Sequence, residues 1–277
     1  MLAGRPNVGK STLLNALVGE PLAIVSPKPQ STRMPVLGLL TRGDAQFIFT
    51  DPPGLLDPDY RLQEVMRDAA RQAIRDSEVI VYLHPLAEFP APEFWKVAGV
   101  PVAPTAQLVT VYTKADLVAP GNRPALPANG LAVSALTREG LDQLLDTLMT
   151  RLPEGPFHYD PDEIATQPLR FFAAEFVREA AFELLHQELP YSVAVEIDEF
   201  REDRSPAYIR AVVFVERDSQ KGIVIGDGGR TIKAIGTAAR ARIEALHGAP
   251  VYLELHVKVL PRWRQHDSSL KRLGYVP

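Results

Sequence analysis

The chain has 277 residues, of which 46% are hydrophobic and 23% charged, and its 30 Lys and Arg stand against 34 Asp and Glu, for a formal net charge of −4. This ordinary globular composition excludes a protein that binds nucleic acid through bulk positive charge, although it allows a local basic patch. The absence of cysteine excludes a disulfide framework, a thiolate nucleophile and a cysteine-ligated zinc site.

The chain opens on a short apolar segment, residues 1–3, which predicts a first strand of three residues where about five is usual. Either the true start lies upstream, or the strand is short and supports the following loop less well, and we expect a longer chain to be more stable. No signal-peptide core precedes Gly4, and no apolar run approaches the roughly 18 residues of a membrane span. These features predict a soluble, intracellular protein.

A glycine-rich loop follows, because residues 4–11, GRPNVGKS, match the pattern GxxxxGK[ST]. In such a loop the backbone N–H groups turn inward around a polyphosphate, Lys10 reaches the terminal phosphates, and the Ser11 hydroxyl binds Mg²⁺. Residues 11–18 have the pattern of a helix whose N-terminus faces the anion. The sequence thus predicts a nucleotide site whose first contacts are Asn7, Val8, Gly9, Lys10, Ser11 and Thr12.

Short apolar runs then alternate with helical patterns along the first half of the chain. The runs are residues 45–50, 78–83, 108–112 and 131–133, and helical periods cover 62–75 and 141–151. Continuous apolar runs are typical of strands buried on both faces. The alternation predicts an α/β domain with a mostly parallel sheet and helices on both faces.

Polar residues follow two of these strands. Asp51 in the sequence DPPG is placed to hold Mg²⁺ through water, and Gly54 is placed to offer its N–H to a γ-phosphate. Asp116 in Thr113-Lys114-Ala115-Asp116 can accept hydrogen bonds from N1–H and the 2-amino group of guanine, a pairing that adenine lacks. The Lys114 stem can lie along the base plane. These residues predict a site for GTP rather than ATP.

A third loop, Ser134-Ala135-Leu136, follows another short strand. The N–H of Ala135 is placed to contact O6 of guanine. We therefore add Ser134, Ala135 and Leu136 to the predicted nucleotide contacts.

The composition changes near residues 152–168, where Pro and Gly are frequent and a linker is expected. We predict a GTP-binding domain at 1–155, a linker at 156–168 and a second domain at 169–277. The second domain begins with an amphipathic helix, and its elements follow in the order helix, strand, strand, helix, strand, helix. This order predicts an α+β unit. Near the C-terminus, residues 256–272 contain five Lys or Arg and one acid.

A second glycine-rich loop, Gly226-Asp227-Gly228-Gly229, lies between an apolar segment and a helix of the second domain. A type II KH domain uses a GxxG loop in this position to bring its backbone close to RNA phosphates, while bases lie in an adjacent apolar groove. Ile223, Ile225 and Ile232 are candidates for that groove. The predicted RNA contacts are Lys221, Gly226, Asp227, Gly228, Gly229, Arg230, Lys233, Lys258, Arg262 and Arg264.

The motifs of the first half, in this order and at these strand ends, resemble those of the translation-factor class of P-loop GTPases. By that resemblance Thr32 is the switch residue that meets Mg²⁺ and the γ-phosphate, and Ser31 is a neighbouring alternative. The implied catalytic residues are Lys10, Thr32 and Gly54. The implied metal ligands are Ser11, Thr32 and Asp51.

With the second domain included, nearly the whole chain resembles the Era-like family of bacterial GTPases, through residues 190–197, 221–226, 257–259 and 263–275. The resemblance implies a GTPase that uses GTP or GDP and Mg²⁺. It implies a KH domain that binds small-subunit ribosomal RNA near its 3′ end and assists assembly of the small ribosomal subunit. It also implies a monomer, located in the cytoplasm or at the inner face of the membrane.

Three positions depart from the family pattern. Thr113 replaces an Asn that usually ties the base to the P-loop, which puts nucleotide affinity in question while leaving selectivity through Asp116 intact. Leu55 stands where Ras-like proteins carry the Gln that orients the attacking water, so we expect slow hydrolysis, accelerated by K⁺ at Asn7 or by the partner. Asp227 stands where Lys is common, so RNA affinity is expected to depend more on the surrounding basic residues.

Two other functions remain open on the sequence alone. A P-loop ATPase or kinase is disfavoured by Asp116 and is tested by competition between ATP and GTP. An RNA-binding scaffold that holds nucleotide without turnover is left open by Leu55 and Thr113. A GTPase of transfer-RNA modification would share the first set of motifs but would not carry the C-terminal GxxG domain.

Overall fold

A computed structural model describes residues 1–99 and 106–276 of the protein, so the last residue of the predicted second domain lies outside the described residues. The chain forms two compact units. The first comprises Met1–Pro58 and Gln63–Thr166, and the second comprises Asp59–Leu62 and Gln167–Pro277.

The segment that the sequence predicts as a linker, 156–168, makes backbone contacts within the first unit. The Gln46 Oε1 atom accepts the N–H groups of His158 and Tyr159, and the Leu39 N–H donates to the Ile164 carbonyl. The division between the compact units falls after Thr166. Most of this segment is thus an integral part of the first unit.

A four-stranded parallel sheet forms the centre of the first unit. Its strands are β1 (Leu2–Ala3), β4 (Val79–Pro85), β5 (Gln107–Thr113) and β6 (Gly130–Ala132), hydrogen-bonded in that order. All seven residues of β4 are buried, as expected for a strand covered on both faces. The predicted parallel α/β architecture is confirmed.

A separate antiparallel hairpin is formed by β2 (Val36–Arg42) and β3 (Ala45–Asp51), with a two-residue turn at Gly43 and Asp44. The apolar run at 45–50 predicts β3, whereas β2 was not predicted. Within the described residues β1 has only two residues and pairs with β4 alone.

The described part of the first unit has four helices: α1 (Lys10–Val18), α2 (Arg61–Arg75), α3 (Phe94–Ala98) and α4 (Leu141–Met149); the first two residues of α2, Arg61 and Leu62, belong to the second unit. Helix α4 buries Leu141, Leu144, Leu145 and Leu148, the spacing of an amphipathic helix that faces a core. It ends two residues before the predicted boundary, and α3 was not predicted. Helix α1 was predicted at 11–18 and begins one residue earlier, at Lys10.

The second unit contains α5 (Leu169–Leu184), α6 (Leu189–Ser192), β7 (Ala194–Arg201), β8 (Ala207–Val215), α7 (Asp218–Ile225), α8 (Arg230–His247), β9 (Val251–Val259) and α9 (Asp267–Arg272). Strand β8 is central, antiparallel to β7 and parallel to β9. Buried side chains such as Val177, Val213 and Ile235 join α5, β8 and α8 in one core. The α+β unit is confirmed, and α7 is a helix where the sequence indicated only an apolar segment. In the described part of the chain no helix is both long and apolar enough to traverse a bilayer.

Candidate functional site

The loop between β1 and α1 borders a cavity of about 360 Å³ at one end of the parallel sheet. Eight predicted site residues line it: Asn7, Gly9, Lys10, Ser11, Thr12, Thr32, Gly54 and Lys114. Its walls also include Pro6 of the predicted loop, Gln30 and Ser31 next to the predicted Thr32, and four residues that were not predicted: Ile24, Val25, Ser26 and Pro27. The P-loop and the segment before β2 therefore enclose one site.

The Lys10 ammonium is held over the loop to which it belongs. Its Nζ donates to the carbonyl of Arg5 at 3.1 Å and to that of Gly4 at 3.4 Å. Burial lowers the pKa of Lys10, and the charge of Asp51 opposes that shift. A phosphate in the cavity would supply a further counter-charge for this buried cation.

Two hydroxyl groups and one carboxylate converge beside Lys10. The Ser11 Oγ donates to Asp51 Oδ2 at 2.6 Å and lies 3.1 Å from Thr32 Oγ1. Such hard oxygen atoms suit Mg²⁺. Thr32, rather than the alternative Ser31, occupies this cluster.

Asp51 has a property that fits a hydrated cation. It is completely buried, and in the described structure its Oδ1 atom has no hydrogen-bond partner. Burial raises the pKa of Asp51, while the Lys10 charge and the hydrogen bonds from Ser11 and Thr32 oppose that shift. A water ligand of Mg²⁺ would satisfy the remaining oxygen atom and favour the ionised carboxylate.

Gly54 lies against the P-loop. A Cβ atom at this position would come within 3.0 Å of the nitrogen and ring of Pro6, and the next residue, Leu55, donates its N–H to the Gly4 carbonyl at 3.3 Å. Glycine permits this approach without displacing Pro6. The main chain after β3 is thereby held beside the predicted position of the γ-phosphate.

The predicted base-reading residues form a second corner. Asp116 Oδ1 accepts a hydrogen bond from Ser134 Oγ at 2.5 Å, and Ser134 Oγ accepts the Thr137 N–H at 3.1 Å. Ser134 is buried, so its role is to orient Asp116 rather than to touch a base. Leu136 is 78% exposed and does not line the cavity in the described structure.

Thr113 ties this corner to the P-loop. Its Oγ1 donates to the Val8 carbonyl at 2.6 Å, and the His84 carbonyl lies at 3.4 Å. The connection that the family resemblance assigns to Asn is therefore made by the threonine hydroxyl.

Arg123 braces the two base-reading loops, and the sequence analysis missed it. Its guanidinium donates to the carbonyls of Ala115 and Val118 at 3.0 and 3.1 Å and forms a two-pronged ion pair with Glu139. Arg123 and Glu139 lie sixteen residues apart in loops, where no periodic pattern relates them. Only the fold brings them together.

Asn7 has a left-handed backbone, with φ of 63°, and its Nδ2 donates to the Pro27 carbonyl at 2.8 Å. Both residues line the cavity. The described residues offer no hydrogen-bond partner to Asn7 Oδ1, which leaves this oxygen as a candidate cation ligand.

The GxxG loop of the second unit exposes its main chain. Gly228 and Gly229 both have left-handed φ angles, and a Cβ atom at either would meet nothing within 4 Å. At Gly226 a Cβ would lie 2.3 Å from Thr231 Oγ1, so the turn into α8 requires glycine. An open backbone at a helix N-terminus is suited to phosphate contact.

The charged residues around this loop differ in their availability. Asp227 forms an ion pair with Arg230 at 3.1 Å. Lys233, Lys258 and Arg262 are exposed, and Lys221 is half-buried. Of the proposed groove residues, Ile225 and Ile232 are half-buried and Ile223 is exposed.

Arg264 is engaged in a structural contact. Its Nη2 donates to Glu216 Oε2 at 2.6 Å, while the adjacent Trp263 is buried and donates its indole N–H to the Ser192 carbonyl. This arrangement fixes the C-terminal segment on the second unit. Arg264, a predicted RNA contact, is thus held in the second unit by its hydrogen bond to Glu216.

Comparison with known proteins assigns a family to each part of the chain. A family model described as a 50S ribosome-binding GTPase matches residues 1–107, and a KH domain model matches residues 188–264. The GTPase Era of Mycobacterium avium (strain 104) is 43% identical over 99% of this chain and 97% of its own length. That of Thermotoga maritima is 41% identical over 96% of this chain and 92% of its own length.

Two solved structures are similar over the whole chain. A variant of Aquifex aeolicus Era bound to GDP and AlF₄⁻ has a TM-score of 0.92 and 36% identity, with 100% of this chain and 98% of that chain covered. Era in complex with MgGDPNP and nucleotides 1506–1542 of 16S ribosomal RNA has a TM-score of 0.91 and 36% identity, with 100% and 97% covered. With the P-loop, the predicted base-reading residues and the GxxG loop in the positions described, this chain belongs to the Era family of GTPases.

Proposed function

We propose that this protein hydrolyses GTP to GDP and phosphate in its first unit, and that its second unit binds small-subunit ribosomal RNA near the 3′ end and assists assembly of the small subunit. The observation that carries the choice of GTP is Asp116, whose carboxylate is oriented by the buried Ser134. The RNA partner is supported by the open GxxG backbone and by the similar Era structure that holds MgGDPNP and a 16S ribosomal RNA fragment.

The residues divide the chemistry among them. Lys10 and the N–H of Gly54 would bind the terminal phosphate, where negative charge develops during transfer. Ser11, Thr32 and Asp51 would hold Mg²⁺, which supplies charge neutralisation between the β- and γ-phosphates when it is bound. Leu55 offers no polar atom to orient a water molecule, so the intrinsic rate is expected to be slow.

Phosphate release from GTP and from ATP, measured with and without an RNA oligomer of the small-subunit 3′ end, tests this function. We expect release from GTP alone, with ATP unable to compete. Failure of the RNA to bind would contradict the second half of the proposal. Binding of GTP without any release in either condition would instead indicate a scaffold that holds nucleotide without turnover.

We also propose that K⁺ binds at Asn7 and accelerates hydrolysis. The support is geometric: Asn7 Nδ2 is used by the Pro27 carbonyl, and this leaves Oδ1 for a cation beside the phosphates. The wild-type protein should hydrolyse GTP faster in K⁺ than in Na⁺, and Asn7→Ala should lose the difference. Equal rates of the wild type in the two salts would contradict this role.

For the cellular location we propose the cytoplasm, with a peripheral contact at the inner face of the membrane. The family resemblance supports it. Fractionation of cells, followed by a high-salt wash of the membrane fraction, tests the proposal, since a peripheral protein should be released by salt.

A further inference from the structure

We propose that Thr113 makes no hydrogen bond to N7 of guanine, because its only hydroxyl hydrogen is committed to the P-loop, and that guanine is recognised through its Watson–Crick edge. This inference rests on the proposed binding of GTP. It makes Thr113 a specificity-determining residue at one edge of the base.

The two partners of the Thr113 hydroxyl show that its hydrogen is used within the protein. The hydroxyl lies 2.6 Å from the Val8 carbonyl oxygen and 3.4 Å from the His84 carbonyl oxygen, and neither carbonyl can donate. A threonine hydroxyl has one hydrogen and two acceptor lone pairs. Thr113 is buried, with 3% of its surface exposed, so no water competes for this hydrogen. The Thr113 oxygen can therefore accept further hydrogen bonds but cannot donate one.

Guanine presents a different group at each edge. N7 and O6 are acceptors, whereas N1–H and the 2-amino group are donors. Asp116 and the Ala135 N–H account for the Watson–Crick edge. N7 can only accept a hydrogen bond, and Thr113 has no hydrogen left to donate to it.

An asparagine in the same place would behave differently. Its amide group carries two N–H hydrogens, so one can satisfy the Val8 carbonyl while the other reaches a second acceptor. The single hydrogen of Thr113 can support the P-loop or the base, but not both. The 2.6 Å distance to Val8 shows that it supports the P-loop.

We expect the wild type to distinguish only weakly between GDP and its 7-deaza analogue. Replacing N7 by C–H removes an acceptor that Thr113 cannot satisfy and leaves the Thr113 hydroxyl paired with the Val8 carbonyl. We therefore expect GDP and its 7-deaza analogue to bind with affinities within about twofold of each other. Gain of one hydrogen bond in Thr113→Asn should create a preference for GDP of about three- to tenfold.

The experiment compares the dissociation constants of GDP and 7-deaza-GDP, with Mg²⁺, for the full chain of the wild type, Thr113→Asn and Thr113→Ser. Thr113→Ser keeps a hydroxyl with one hydrogen and should keep a ratio near one, which preserves the test if the asparagine variant fails to fold. A wild-type ratio above about fivefold in favour of GDP would overturn the inference. Absence of binding of both nucleotides would overturn the proposed function instead.

Discussion

Asp227 places a negative charge in the loop that is expected to approach RNA phosphates. It forms an exposed ion pair with Arg230, three residues along the chain at the start of α8. Exposed pairs of this kind contribute little to stability, so the contact is easily exchanged for another anion. The acid therefore acts mainly on binding: it repels phosphate and competes for the Arg230 guanidinium.

We predict that Asp227→Lys tightens binding of a small-subunit 3′-end RNA oligomer and steepens the dependence of the binding constant on salt. Each additional phosphate contact on a single strand should increase the slope of log K against log salt by about 0.7. Binding measured at several salt concentrations gives this slope. Asp227→Asn, which removes the acid without adding a cation, should lie between the two, and an unchanged slope in the lysine variant would place this loop away from phosphate.

Between elements, the loop after β5 and the loop after β6 are held together by Arg123. Its contacts with Ala115, Val118 and Glu139 explain how two irregular segments that carry the predicted base contacts Asp116 and Ala135 are held together. The hydrogen bond from Arg123 lowers the pKa of Glu139. The ion pair is thus fully present above the ordinary pKa of a glutamate and is lost as pH falls through the lowered value.

We predict that Arg123→Ala weakens GDP binding about tenfold, because both base-reading loops lose a shared support while every predicted nucleotide contact remains. Titration with a fluorescent guanine nucleotide measures the effect. Lys96→Ala, which removes an exposed cation from α3, serves as the control and should bind as the wild type does. Unchanged affinity in Arg123→Ala would show that the loops hold their positions without the brace.

A groove of about 780 Å³ beside Met1 is lined by apolar side chains of β3 and β4 such as Phe47, Phe49 and Val79. Burial also lowers the pKa of the Met1 ammonium at this position to about 6. A longer strand would fill the groove and replace the buried amine with a peptide group.

We predict that adding four β-branched residues before Met1 raises the melting temperature. For a unit of this size each 1 kcal/mol of added stability corresponds to about 2–4 °C. Thermal unfolding of this variant is compared with that of a variant that carries a four-residue Gly-Ser extension. The control adds the same length without favouring a strand, so a difference between the two reports strand pairing. Equal melting temperatures for the two extensions would mean that the groove does not accept a strand.

The sequence was informative where one physical signal dominated. The apolar run that became β4 and the leucine spacing of α4 predicted their elements because burial on two faces, or on one stripe, determines both patterns. Helix α7 was missed because Gly222 and β-branched residues oppose helix formation, while Gln220 offsets this by accepting the N–H groups of Glu216 and Arg217.

The candidate site shows the same limit. Lys10, Ser11 and Asp51 were predicted from spacing, and the structure places them together. The roles of Thr113 and Arg123 depend on partners more than fifteen residues away, so only the folded chain reveals them. Local patterns identify a site, whereas the contacts that support it are long-range.

At the scale of the whole molecule, the segment after Gly54 belongs to both compact units. Gly54 lies beside the P-loop, and five residues later Asp59–Leu62 are part of the second unit. Within that unit Arg61 Nε donates to Asp267 Oδ1 at 2.7 Å, and the Arg264 guanidinium lies 4.9 Å from the centre of the Tyr60 ring. If Gly54 moves when the γ-phosphate is bound or lost, we expect the change to reach the second unit along the chain itself.

We predict that the affinity for the RNA oligomer differs by at least about fivefold between the GDP form and the form with a non-hydrolysable GTP analogue, the lower end of usual coupling between two sites. Arg61→Ala should reduce this ratio, because it removes the ion pair with Asp267 without altering the predicted nucleotide or RNA contacts. Arg75→Ala, at the other end of α2, is the matched control. Equal RNA affinities of the two wild-type forms would contradict nucleotide control, and since linkage is reciprocal, the RNA would then leave nucleotide affinity unchanged as well.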